Sequence, residues 1–261
     1  MDKWTSGAAY DLWMGRWSRL LADEFLQWLN LPAGRQWLDV CCGSGVMSQA
    51  IGERWSPAGV VGIDMAPAQV AFAREHRASP RIVFTAGDAM ALPFRDANFD
   101  VATCGLGLNY VPDSSRVLQE MQRVVRPQGT VAAYVWDYAE KARFLREFWD
   151  AALAVDPEAP AFDQARRFPL CTRDGLERLF AGAGLEHVRL QAIEITTRFA
   201  NFEDYWEPLC SKQGSAPNYL ASRDAATRNA IHERLKARLA AGAQGPIVLP
   251  ARAWAVSGRR P

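Results

Sequence analysis

The stretch Trp37-Leu38-Asp39-Val40-Cys41-Cys42-Gly43-Ser44-Gly45 decides the fold. Trp37 to Val40 reads as a buried strand carrying one acid, and Gly43 and Gly45 turn the chain before an apolar helix that starts at Val46. Glycine permits a tight turn and leaves no Cβ between the backbone and a ligand. The first N–H groups of the helix lack partners within it and face whatever sits there. A G-x-G turn by itself also serves as an ordinary strand-to-helix corner, so a ligand-binding role needs support from the next three strands.

A second hydrophobic strand, Val60-Val61-Gly62-Ile63, ends in Asp64. That acid falls about 20 residues beyond the glycines, where a carboxylate can take both hydroxyls of a ribose. A third strand, Ile82-Val83-Phe84, runs into Gly87-Asp88-Ala89, and a fourth, Phe99-Asp100-Val101-Ala102-Thr103-Cys104, ends at another glycine. Asp39, Asp64 and Asp88 thus lie at or just past the carboxyl ends of three successive strands. In an open parallel sheet those ends line one crevice, the place where ligands of doubly wound folds bind. One such acid is ordinarily a helix cap or turn residue; three in step with a glycine loop point to a nucleotide-like ligand.

These motifs resemble the class I S-adenosylmethionine-dependent methyltransferases of the small-molecule, ubiquinone-methyltransferase-like type. The family's first motif, D-x-G-C-G-T-G, is similar to Asp39-Val40-Cys41-Cys42-Gly43-Ser44-Gly45, and its ribose acid falls on Asp64. Its adenine-side motif, G-D-A-x-x-L-P-F, is Gly87-Asp88-Ala89-Met90-Ala91-Leu92-Pro93-Phe94. Phe99-Asp100-Val101 and the run from Glu120 to Gly129 complete the pattern. The resemblance implies an α/β, doubly wound, mostly parallel seven-stranded sheet, Rossmann-like, with an antiparallel C-terminal hairpin and helical cap insertions. It also implies S-adenosylmethionine as cofactor and S-adenosylhomocysteine as product. The cofactor contacts it implies in the motifs are Asp39, Gly43, Gly45, Asp64, Met65, Asp88, Ala89 and Cys104.

The chain departs from the family pattern at three places. Cys41 stands where the first motif has glycine, which reduces backbone freedom while keeping a small residue; tolerance is expected. Gln128 replaces the first glycine of the usual P-G-G, a change expected to be neutral. Many relatives carry a His-His pair after the fourth strand, whereas this chain has Asn109-Tyr110. Those two are the candidate catalytic residues. A tyrosine with its ordinary pKa near 10 hydrogen-bonds more readily than it deprotonates at neutral pH, so Tyr110 is expected to orient the acceptor.

The amino-terminal segment Tyr10-Asp11-Leu12-Trp13-Met14-Gly15-Arg16 resembles the part of this family that folds over the methionine end of the cofactor. Tyr10 and Arg16 are its candidate contacts, since a guanidinium matches a carboxylate through its planar fork; the plainer reading makes Arg16 a helix-start residue and Tyr10 packing. Trp17, Leu20, Leu21, Phe25, Trp28 and Leu29 recur at helical spacing, so residues 16 to 29 read as an amphipathic helix. Val117, Leu118, Met121, Val124 and Val125 form another apolar stripe, followed by a strand from Thr130 to Trp136.

The whole chain, 1–261, reads as one domain with an amino-terminal lid (1–30) and insertions at about 139–171 and 200–246. Thr172 is an expected N-cap for a helix through Leu176, Leu179 and Phe180 that stops at Gly182 or Gly184. Strands then run from Val188 to Phe199 and from Ile247 to Val256, with a charged helix from Ala225 to Leu239 between them. The aromatic residues of the insertions suit either an apolar pocket over the cofactor or staples to the core.

Composition narrows the alternatives. Lys+Arg 30 against Asp+Glu 29 gives a net charge of +1, so no bulk field draws nucleic acid or an anionic membrane. No apolar run approaches a membrane span and no secretory signal pattern is present. The five cysteines show no C-x-x-C, and His76, His187 and His232 are scattered, so no metal site and no disulfide framework are expected. A cytoplasmic monomer or homodimer without nucleic-acid or membrane partners is the expectation.

The reading is therefore transfer of a methyl group, by in-line displacement, to a small apolar or aromatic acceptor. The alternatives are a methyltransferase acting on a macromolecule and a non-catalytic S-adenosylmethionine-binding protein. A dinucleotide oxidoreductase fails on Ser48, which stands where G-x-G-x-x-G needs its third glycine, and leaves Asp88-Ala89 without a role.

Overall fold

A computed structural model describes residues 10–77, 79–212, 214–239 and 245–261. Residues 1–9 of the expected lid and 240–244 of the second insertion lie outside the described residues.

Five strands alternate with helices through the first half of the chain: α1 (Arg16–Leu29), β1 (Gln36–Val40), α2 (Val46–Arg54), β2 (Gly59–Asp64), α3 (Pro67–His76), β3 (Ile82–Ala86), β4 (Phe99–Gly105), α4 (Ser114–Val124) and β5 (Val125–Trp136). The second half carries α5 (Arg143–Leu153), α6 (Gln164–Arg167), α7 (Arg173–Gly182), β6 (Glu186–Phe199), α8 (Phe202–Trp206), α9 (Ser215–Ala221), α10 (Ala225–Leu239) and β7 (Ile247–Arg259). The strands form one sheet in the order β3-β2-β1-β4-β5-β7-β6. β1 to β5 pair in parallel, whereas β7 runs antiparallel to both β5 and β6.

Strand order reverses at β1, which has β2 on one side and β4 on the other. Helices leaving the two neighbouring strands therefore cover opposite faces, and a crevice opens at the carboxyl ends of β1 and β4. Because both faces are covered, the central strands are apolar along their length: Leu38, Val40, Val60, Ile63, Val101 and Ala102 are all buried.

The expected helices at 16–29 and 225–239 match α1 and α10, and Thr172 caps α7 as expected, its Oγ1 accepting the Gly175 N–H at 3.0 Å. β5 starts five residues before the expected Thr130, because α4 passes directly into the sheet. Val125 pairs with Phe99, and the register shifts before Val101 meets Thr130. The shift puts Gln128 at φ 62, in the left-handed region. The expected neutrality of Gln128 is thereby corrected: the family's glycine serves this conformation without a Cβ penalty.

Most aromatic side chains of the insertions are staples. Trp13 packs edge-on against Phe144 and Tyr205, and Tyr205 donates its hydroxyl to the Phe144 carbonyl at 2.8 Å. Tyr219 is buried against Phe148 and Trp149. Large rings buried this way hold both insertions and the amino-terminal segment as one packed unit.

Candidate active site

The turn after β1 uses its two glycines differently. Gly43 (φ 53) faces open space, with nothing within 4 Å of where a Cβ would stand. Gly45 (φ 81) faces inward, where a Cβ would meet Phe84 at 2.8 Å. Only Gly43 offers bare backbone to a ligand; Gly45 lets α2 pack against β3. Cys41 also adopts a left-handed φ of 57, which gives the physical reason for the family's glycine at this position.

Asp64 closes the other wall. Its Oδ2 accepts the Gly43 N–H and its Oδ1 the Ala66 N–H, both at 2.9 Å. An ionised carboxylate has about four acceptor sites, so half remain for hydroxyls of a ligand. Burial pushes its carboxyl up and the two N–H bonds oppose this. Met65 beside it is 76 % exposed, an apolar side chain standing at the crevice mouth.

Asp39 does not share this exposure. It lies beneath the turn, 1 % exposed, accepting from Ser48 Oγ at 2.6 Å, and burial pushes its carboxyl up to about 7. The expected row of three crevice acids is accordingly two crevice acids and one that braces α2 from below. Asp88 is exposed and accepts the Met90 N–H at 2.8 Å, and Ala89 is buried behind it. Cys104 is fully buried with its thiol in hydrogen-bond contact with Cys41. That contact and then burial hold the Cys41 thiol well above its ordinary pKa, and burial does the same for Cys42, which disfavours the thiolate at both.

The amino-terminal segment enters as a π-helical turn, Asp11–Gly15. Tyr10 shares a hydrogen bond with Ser18 Oγ at 2.8 Å, and burial pushes its hydroxyl to about 12. Asp11 accepts from Ser44 Oγ in the glycine turn at 3.2 Å and pairs with Arg77 and Arg19. Arg16 departs from expectation. Its Nη1 donates to both Asp204 carboxylate oxygens, at 3.0 and 3.3 Å, its Nη2 donates to the Asp204 carbonyl at 3.3 Å, and its guanidinium stacks on Trp17 and Phe199. In this structure it ties the segment to α8.

Past β4 the chain turns at Gly107, where a Cβ would stand 2.6 Å from that of Cys41. This close approach brings Asn109 and Tyr110 to the carboxyl edge of the sheet beside the glycine turn. Asn109 is 9 % exposed, and among the described residues neither its Nδ2 nor its Oδ1 has a hydrogen-bond partner. Leaving a buried amide unsatisfied costs about 1–3 kcal/mol, which makes these atoms ones a ligand would satisfy. Tyr110 and Tyr138 share a hydrogen bond at 3.2 Å, and Phe168 lies against both rings. Sequence motifs alone do not select Tyr138 or Phe168. Tyr138 nonetheless follows the carboxyl end of β5 by two residues, and the strand-end rule that selects Asp64 applies to it equally.

The open backbone at Gly43, the spare acceptor sites of Asp64, the exposed Met65 and the orphaned Asn109 amide fit an adenosyl ligand with a reactive end near β4. Among the described residues no cluster of His, Cys, Asp or Glu is placed to hold a metal ion, and no helix is long and apolar enough to cross a membrane.

Fold and crevice together define a methyltransferase, and similarity to known proteins agrees. The methyltransferase-domain family matches residues 38–133. Demethylmenaquinone methyltransferase of Staphylococcus aureus is 33 % identical over 176 residues, covering 63 % of this chain and 73 % of that protein. The chain belongs to the class I S-adenosylmethionine-dependent methyltransferases. Among solved structures, the YcgJ protein of Bacillus subtilis superposes with a TM-score of 0.58 at 17 % identity, over 94 % of this chain and 98 % of that one. Phosphoethanolamine N-methyltransferase 2 of Haemonchus contortus, in complex with S-adenosyl-L-methionine, gives 0.60 at 14 % identity over 98 % and 56 %. These two likenesses are of fold.

Proposed function

We propose that the protein methylates a small, apolar or aromatic acceptor held against Tyr110, Tyr138 and Phe168. The observation that carries this reading is the Asn109 amide, buried and unbonded next to Tyr110. An acceptor there would give it both a donor and an acceptor, while Phe168 offers an apolar face.

When bound, S-adenosylmethionine supplies an electrophilic methyl carbon on a sulfonium. The work of the chain is placement. Gly43 and Asp64 hold the adenosyl end, Asn109 and Tyr110 orient the acceptor, and the rings of Tyr138 and Phe168 keep water away. Correct placement of two reactants can supply roughly 7 kcal/mol or more of the barrier. Tyr138 stays neutral, since burial and the neighbouring Tyr110 hold its hydroxyl well above the ordinary value. A base is needed only by an acceptor that must lose a proton to react. The name of the S. aureus relative, a methyltransferase of demethylmenaquinone, is compatible with an apolar acceptor.

The test is release of S-adenosylhomocysteine against a panel of hydroxylated naphthalenes, prenylated phenols, charged amines, a peptide library and RNA. Saturable turnover with the apolar aromatic members, lowered about tenfold by Tyr110→Phe with cofactor affinity intact, is the expected result. Saturation with charged amines, peptide or RNA alone would overturn it.

A further inference from the structure

We propose that Gln164, on the first insertion, is a positioning residue that sets the direction of the Tyr110 hydroxyl. This inference rests on the acceptor reading above.

Trp149 fixes the glutamine. Its indole Nε1 can only donate, and it lies 3.1 Å from Gln164 Oε1 in a buried contact. That contact decides which way the Gln164 amide faces, because the flipped amide would set two donors against each other. The Gln164 Nε2 is thereby turned to Tyr110 Oη, at 3.4 Å, and donates to it. Tyr138 supplies the second bond. It is 3 % exposed and its hydroxyl lies 3.2 Å from that of Tyr110. A buried hydroxyl that withheld its proton from that oxygen would leave the proton unsatisfied. Tyr110 Oη therefore accepts from both Gln164 and Tyr138, and its own proton is turned away from the insertion. A phenol that accepts twice is also the stronger donor. Such a hydroxyl suits an acceptor molecule presenting a lone pair, an oxygen or nitrogen, to Tyr110.

The insertion is built to hold Gln164 still. Gln164 is 3 % exposed and opens the short α6, whose N-cap Asp163 accepts the Ala165 N–H at 3.0 Å. The Asp163 carboxylate is itself paired with the buried Arg146 at 2.9 Å. Arg146 and Trp149 stand three residues apart on α5, on one face, so a single helix grips both the cap and the amide. A residue that only filled space would need neither contact.

Among the described residues the titratable groups that act on Tyr138, besides Tyr110, include Cys171 and Tyr10, both held neutral by burial. Protein labelled with fluorotyrosine is titrated by fluorine NMR, with the Tyr110 resonance assigned by its loss in Tyr110→Phe. Losing an N–H donor to the phenolate should raise the Tyr110 midpoint by about one pH unit, a tenfold change in its acidity, in Gln164→Leu. In the isosteric Gln164→Glu the rise should be larger, since a carboxylate replaces the donor. Trp149→Phe, which unlocks the amide, should raise it less. Thermal melts accompany each variant, and Gln164→Glu covers the case in which Gln164→Leu does not fold. An unmoved midpoint in folded Gln164→Glu overturns the proposal. The titration needs no methyl acceptor, so that failure leaves the acceptor reading standing; unchanged turnover in Tyr110→Phe would instead remove the acceptor reading and this role with it.

Discussion

Arg16 and Asp204, 188 residues apart in the chain, meet where one guanidinium nitrogen, Nη1, donates to both carboxylate oxygens at 3.0 and 3.3 Å, joining the amino-terminal segment to the last insertion. Both side chains are about a third exposed, so the pair contributes up to about 1 kcal/mol, reinforced by stacking on Trp17 and Phe199. Arg16→Ala and Asp204→Ala should each lower the melting temperature by a few degrees; because Arg16 also stacks on two rings and Asp204 also accepts the Ala200 N–H, the double variant should fall below either alone but by less than the sum of the two. Cofactor affinity, measured by calorimetry, should change less than about threefold in Arg16→Ala. A hundredfold loss there would restore Arg16 to the cofactor site.

Asp64 joins two strand ends through the backbone of Gly43 and Ala66. Its free acceptor sites are the ones a ribose would use. Hydrogen bonds to a charged group are worth about 1.5–3 kcal/mol, so Asp64→Ala should weaken S-adenosylhomocysteine binding by about 100-fold or more. Asp64→Asn, which keeps one acceptor oxygen, should fall between. Equal calorimetric affinity for wild type and Asp64→Ala would remove this residue from the site.

The buried Asp39 makes stability depend on pH. Its folded value of about 7 stands above the ordinary 3.8, so the folded state holds the proton more tightly. The associated stabilisation is complete below about pH 4 and is lost as pH rises through 7, an effect on the order of 4 kcal/mol. Urea unfolding across this range should show the decline in wild type and its absence in Asp39→Asn. Parallel curves for the two proteins would contradict it.

At Cys41 the left-handed backbone reverses a common rule. Alanine ordinarily exceeds glycine in stability at regular positions, yet at φ 57 a Cβ costs about 1–2 kcal/mol. Cys41→Gly should therefore be more stable than Cys41→Ala by about 1 kcal/mol in denaturant melts. The comparison cancels the lost contact with Cys104, which both variants lack.

The parallel half of the sheet is legible in the sequence because its determinants are local. Strand-ending acids, the glycine turn and the stripe on α1 each occupy a short window, and Asp64 is legible for the same reason. The place of Arg16 is not, because its partner, Asp204, lies in an insertion whose docking no local pattern encodes. The strain at Gln128 is hidden because the left-handed turn arises from a register shift between β4 and β5, which sequence periodicity does not register. Tyr138 and Gln164 escape on different grounds. The first obeys a rule that the motifs display only on earlier strands; the second has a role that exists only through the orientation imposed by Trp149.

The placement of β7 between β5 and β6 has a consequence for biogenesis. During synthesis β5 and β6 both emerge before the strand that joins them, so the β5 edge from Thr130 to Trp136 and the facing edge of β6 present backbone groups whose partners are still to come. Until β7 emerges those edges are open to pairing with a neighbour on the same polysome. Translation speed between the codons for Phe199 and Ile247 thus bears on how much of the protein escapes aggregation.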